Sequence, residues 1–105
     1  MRMWNTKTSE MCNRHLLGEH VEMHMFVGTL NKEKSINGYL NKGLVEVHKI
    51  KKRHEELVNE MERRGFNHKS ILPEYRYKKV GSVNVRENKK ELARRCKNCK
   101  KMQKR

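Results

Sequence analysis

The sequence predicts an all-α fold: a compact single domain of three helices with long irregular loops. Three observations predict it. Apolar residues recur at spacings of three and four in three separate stretches, the period of a helix face. No two stretches alternate apolar and polar residues as half-buried strands would. The stretches are separated by segments rich in Gly, Asn and Lys, the last of them carrying the single proline. The 105 residues fit one domain, residues 1–105, ending in a basic tail from about residue 96.

The first helix is expected from about Ser9 to Leu30, with Ser9 as N-cap and Cys12, Leu16, Met23, Val27 and Leu30 near one face. The segment "NKEKSINGYLNKG" follows and reads as a loop. The second helix is expected from about Val45 to Arg64. Val47, Ile50, His54, Leu57 and Met61 keep helical spacing, and Gly65 stands where a C′ glycine belongs. An irregular connection, "FNHKSILPEYRYKKVGS", leads to a third helix. That helix opens at Asn84, with Glu87 three residues on as in a capping box. Its apolar line is Leu92, Cys96, Cys99 and Met102.

Composition narrows the function. Apolar residues make up only 34%, so the core must be thin. Net charge is +14, from 26 Lys and Arg against 12 Asp and Glu. Such an excess repels itself and favours a polyanionic partner, nucleic acid first, because each neutralised phosphate releases counterions. An anionic membrane surface is the second candidate for such charge; no apolar run approaches the ~20 residues that cross a bilayer, the N-terminus lacks a signal-peptide core, and no membrane partner is expected. Three cysteines leave one over from any disulfide pair, which points to a reducing, cytoplasmic setting. The chain is expected to act as a monomer.

The densest chemistry lies in "RHLLGEHVEMH", residues 14–24, with three histidines and two glutamates. On a helix His15, Glu19 and Glu22 share one stripe, and His20 and His24 form an i, i+4 pair on another flank. The string is not the zincin H-E-x-x-H, because Glu22 comes one position late and points about 100° away. A site of His15, Glu19 and Glu22 would need further carboxylates that the other helices do not offer. No metal is therefore expected here. The stripe adjoins the apolar side, so Glu19 and Glu22 should be part-buried. Carboxylates in that position usually hold a cation or move a proton.

Three motifs together carry a family resemblance: "MRMW" at the N-terminus, "HLLGEHVE" on the first helix and "KKRHEELVNEMERRGFN" on the second. Over roughly residues 1–70 the chain resembles the pyrimidine-dimer DNA glycosylase and abasic-site lyase family known from phages. The resemblance implies a three-helix fold, damaged or abasic double-stranded DNA as partner, and no cofactor. It implies that the free α-amine of Met1 is the nucleophile and that Glu22 is its acid/base partner. It also places the family's helix histidine on His15 and the arginine beside the N-terminus on Arg2.

Elementary chemistry agrees with that assignment. An α-amine has an unperturbed pKa of about 7.7–8.0 against about 10.4 for lysine, so far more of it is free base at neutral pH. Arg2 is too large for the usual methionine trimming, so Met1 is expected to keep its amine. Lys49, Lys51, Lys52, Arg53, Arg63 and Arg64 are candidate phosphate contacts, each with a solvated helix face as the plain alternative. Tyr75 and Tyr77, flanked by Arg76, Lys78 and Lys79, are weaker DNA contacts, and Trp4 is expected in the core.

Two departures from the family stand out. Val21 and Met25 occupy the positions where the family carries arginines beside the glutamate. The C-terminus reads "RRCKNCKKMQKR" in place of an aromatic-rich segment. Within it Cys96 and Cys99 form a lone C-x-x-C. A zinc site needs two more ligands and no second C-x-x-C exists, so buried thiols on the third helix are the expected reading. Besides a repair enzyme, two other functions fit the residues: a non-catalytic nucleic-acid-binding module, and a metal-dependent nuclease built on His15, Glu19 and Glu22.

Overall fold

A computed structural model describes residues 1–68 and 70–104, and all regular structure among them is helical. Helix α1 spans Asn13–Asn31, α2 Asn37–Asn41, α3 Ile50–Arg63, α4 Val85–Arg95 and α5 Lys97–Gln103. Short 3-10 turns at Thr8–Glu10 and Val47–Lys49 lead into α1 and α3.

The all-α expectation holds, and the count of three helices is corrected to five. The expected third helix breaks at Cys96, whose extended backbone (φ −137°, ψ 115°) ends α4 and starts α5. The expected loop after α1 contains α2, a single turn held by Tyr39 and Leu40 donating to the Ile36 carbonyl. The first helix starts later than Ser9, because the chain runs extended through Met11 and Cys12.

Other local readings are borne out. Asn84 caps α4, its side-chain oxygen accepting from the Glu87 amide at 3.0 Å. Gly65 takes φ +87° just beyond α3, where a side chain would be strained. Between α3 and α4 the described residues form no regular element. It is tied back by Val47 donating to the Val80 carbonyl at 3.0 Å and by Val83 donating to Glu46 Oε1 at 2.8 Å.

The core lies between α1 and α3. Leu16, Met23, Phe26 and Val27 meet Ile50, Leu57 and Met61, and Leu92 closes one end from α4. The N-terminal strand-like segment is part of this core rather than a loose tail. Met3 is fully buried and Trp4 nearly so, as expected for Trp4. Met3 donates its amide to the Leu44 carbonyl at 2.7 Å. Asn5 then turns the chain with φ +54°, a conformation that asparagine tolerates better than most residues.

Candidate active site at the N-terminus

Asn88 of α4 fixes the first residues of the chain. Its side-chain amide is 3% exposed and donates to the carbonyls of Met3 at 3.3 Å and Trp4 at 2.8 Å. Its oxygen accepts from Arg2 Nη2 at 2.6 Å. The Arg2 guanidinium lies over the Trp4 ring, 4.1 Å from its centroid, a cation–π contact. Sequence reasoning missed Asn88. The signal was present: it lies one helical turn before Leu92, on the buried face of α4.

This clamp delivers the Met1 amine to α1. The amine nitrogen stands 3.9 Å from Glu22 Oε1, and both side chains are partly shielded, at 11% and 30% exposure. Burial raises the Glu22 carboxyl above its ordinary range, helped by the neighbouring Glu19 charge. The Met1 amine and Arg2 pull it back. Beside this pair opens a shallow cleft of 420 Å³ lined by Trp4, Arg14, His15, Gly18, Glu19, Val21 and Glu22. Val21 and Met25 are about half exposed next to it, an apolar rim on a basic protein. Met1, Arg2, His15 and Glu22 therefore gather around Trp4 and α1.

Glu19 does something else. It is 1% exposed and receives Arg53 in a two-pronged ion pair, Nε to Oε2 at 2.6 Å and Nη2 to Oε1 at 2.8 Å. Arg53 Nη1 also donates to the Thr6 carbonyl at 2.7 Å. Glu19 is thus occupied as a structural counter-ion, which removes a ligand from the His15, Glu19, Glu22 metal reading.

The same geometry corrects Arg53 as a phosphate contact, since its side chain is 2% exposed and fully engaged inside. The sequence signal lay in its register, between Ile50 and Leu57 on the buried face of α3. Arg64 is corrected for a similar reason: it donates to the carbonyls of Thr8 and Met11, to Asn13 and to Glu60. Arg63 is exposed, with Nε donating to Glu60 Oε1 at 3.0 Å. Lys51 and Lys52 are exposed, and Lys49 is bound to Glu46 at 3.2 Å. Lys7, Lys49, Lys52 and Arg63 line a second cleft of 640 Å³ between the N-terminal segment and α3. Tyr75 is a structural cap: its hydroxyl donates to the Val47 carbonyl and accepts from the Lys51 amide. Tyr77 remains exposed.

Two side-chain clusters were not foreseen as such. Cys12 and His15, at the start of α1, meet Cys96 and Cys99 from the junction of α4 and α5. His20 and His24 of α1 meet His54 of α3 and His68. The C-x-x-C that lacked partners in the sequence finds a cysteine and a histidine more than 80 residues away. Burial, aided by the neighbouring rings, lowers the pKa of His20 to about 4 and also lowers His24 and His54.

Residues 1–74 match the family described as pyrimidine dimer DNA glycosylase. No curated protein and no solved structure matches the chain.

Proposed function

The chain belongs to the pyrimidine dimer DNA glycosylase family, and from that premise we propose that it cuts DNA at pyrimidine dimers and abasic sites through an imine on the Met1 amine. The observation that supports this reading is the 3.9 Å approach of the Met1 nitrogen to Glu22 Oε1. A carboxylate so placed can take a proton from the amine and return it to the sugar.

The steps balance with these two groups and water, which supplies the proton taken up by the base. The Met1 nitrogen donates its lone pair to C1′ of the nucleotide, and the glycosidic bond breaks with its electron pair leaving on the base, which takes up a proton. Glu22 assists protonation of the ring oxygen, and the ring opens to an imine. Glu22 as carboxylate then takes a proton from C2′. The C3′–O bond breaks, its electron pair leaving with the phosphate, so the strand is cut on the 3′ side. Water hydrolyses the imine and frees Met1. At an abasic site the first departure is of water instead of a base.

Arg2 and His15 wall this site rather than react. Arg2 is held on Trp4 and Asn88, where its charge faces an incoming phosphate. The target nucleotide must leave the stack, which costs a few kcal/mol and least where pairing is already damaged. Val21 and Met25 offer apolar contact to exposed bases where the family has cations. Lys7, Lys49, Lys52 and Arg63 form the stripe that holds the backbone.

The test is borohydride trapping on a duplex with one abasic site. The wild-type chain should form a covalent adduct and leave an unsaturated aldehyde end, and selective N-terminal acetylation should abolish both. Glu22→Gln should keep DNA affinity and lose strand scission. Normal cleavage by that variant, or by acetylated protein, contradicts the assignment. A 3′-hydroxyl product would indicate hydrolysis instead. Binding with neither adduct nor scission would indicate a DNA-binding module.

A further inference from the structure

We propose that Cys12, His15, Cys96 and Cys99 form a structural zinc site that fastens the C-terminal helix to the start of α1. The four donors are Cys12 Sγ, His15 Nδ1, Cys96 Sγ and Cys99 Sγ, and all lie within 4.8 Å of one another. Cys12 and Cys96 sulfurs are 3.8 Å apart. His15 Nδ1 stands 3.2 Å from Cys12 Sγ and 3.6 Å from Cys99 Sγ. A tetrahedral zinc with ordinary Zn–S and Zn–N bonds has S–S edges of about 3.8 Å and S–N edges of about 3.6 Å. The Cys12–Cys96 and His15–Cys99 separations have those dimensions, and His15 stands closer than that to Cys12. The sulfur separation is far too long for a disulfide, whose sulfurs lie about 2.05 Å apart.

Backbone amides are directed at two of the sulfurs. The Cys12 amide donates to Cys99 Sγ at 3.3 Å, and the Cys99 amide points at Cys96 Sγ from 3.5 Å. Cys12 and Cys96 are the N-caps of α1 and α5, where exposed amides and the helix dipole favour negative charge. The spacing is C-x-x-H at one end of the chain and C-x-x-C at the other, each short enough for two ligands on one metal.

Without a metal, little holds α5 in place beyond Cys99, the partly buried Met102 and a Gln103 hydrogen bond to the Lys89 carbonyl. The helix has seven residues, three of them lysine, and Cys99 is its only buried one. Helices this short are not stable alone. Four metal bonds across more than 80 residues supply what its apolar surface cannot, as structural metals do in other small chains. Ligation through Nδ1 also leaves the proton on Nε2 of His15, fixing the tautomer of a histidine that lines the Glu22 cleft.

The full chain, purified reduced from zinc-supplemented cells, should carry zinc through dialysis. Replacing zinc by cobalt(II) should give the visible absorption of a tetrahedral ion and a thiolate-to-cobalt charge-transfer band. Cys96→Ser, at a partly buried helix junction on the edge of the core, should weaken that band and leave most helical circular dichroism. His15→Cys should retain the site and strengthen the band. Reduced wild-type protein that gives no charge-transfer band with cobalt overturns the proposal. So does a band unchanged in Cys96→Ser.

An independent observation carries a second metal site at His20, His24, His54 and His68. One ring nitrogen from each lies within 4.8 Å of the others. His24 and His54 bring Nε2 atoms to 3.1 Å, and Nε2 of both His20 and His68 is buried with no hydrogen-bond partner among the described residues. Convergence of imidazole nitrogens, two of them unsatisfied, is what a borderline divalent ion such as zinc or nickel would explain. It would tie the irregular segment after α3 to α1. Nickel(II) titrated into protein already loaded with zinc at the cysteines should bind one further equivalent, lost in His24→Gln/His68→Gln. Both are partly buried positions at the edge of the cluster, so the variant should fold. No further equivalent, or one kept by the variant, overturns this site.

Discussion

The side-chain amide of Asn88 donates to the Trp4 carbonyl at 2.8 Å, and through this bond α4 sets the position of the N-terminal segment. The first four residues could otherwise fray, as termini do. Asn88→Ala removes donors from two buried carbonyls and an acceptor from Arg2. Unpaired buried groups cost about 1–3 kcal/mol each, so the urea midpoint should fall. Single-turnover cleavage of abasic DNA should fall at least tenfold, since a displacement of about 1 Å can cost a hundredfold. DNA affinity should stay nearly unchanged. An equal loss of affinity and rate would show that Asn88 acts on binding instead.

Arg53 and Glu19 form the buried ion pair joining α3 to α1. Arg53→Met leaves a carboxylate without its counter-charge and should cost about 3–5 kcal/mol in denaturant unfolding. Arg53→Lys should recover little, because an ammonium cannot make the two-pronged contact. Glu19→Leu/Arg53→Met should recover most of the loss. If the single and double variants are equally unstable, the pair is not what holds these helices together.

Lys49 and Lys52 differ from Arg53 in facing solvent beside the second cleft. Lys52→Ala should weaken binding to any DNA sequence and reduce the slope of log affinity against log salt by about 0.9. Fluorescence anisotropy across a salt series measures it. An unchanged slope in both Lys49→Ala and Lys52→Ala would place the phosphate track elsewhere.

Glu60 gives the fold an acid-sensitive joint. Hydrogen bonds from Arg63 and then Arg64 outweigh partial burial and hold its carboxyl below the ordinary 4.5. The folded chain therefore binds this proton less readily than the unfolded chain. Its contribution to stability is complete above pH 4.5 and disappears as pH falls through the lower folded value. Wild type should exceed Glu60→Gln in urea midpoint at pH 6, and the gap should close toward pH 3. A gap that widens with acid would mean the opposite sign.

The helix cores were legible because their causes are local. Ile50, Leu57 and Met61 announce α3 by spacing, and Asn84 with Glu87 announces the start of α4. The part-burial of Glu22 also followed from its stripe, whereas Glu19 is fully buried against Arg53. What was not legible depends on residues far apart in sequence. Cys12 looked like an apolar position of a helix face, and only the fold shows that it and His15 meet Cys96 and Cys99. The break at Cys96 escaped periodicity because Leu92, Cys96 and Cys99 keep helical spacing across it. Arg53 carried a readable signal, its place on the apolar face of α3, that the abundance of neighbouring cations obscured.

The central claim is that the Met1 amine, beside Glu22, is the atom that bonds to DNA. The most direct measurement is peptide mapping by mass spectrometry of the borohydride-trapped complex after nuclease and protease digestion. The sugar remnant should sit on the N-terminal peptide, at the α-nitrogen of an intact Met1. Attachment to a lysine peptide, or to none, would contradict the account.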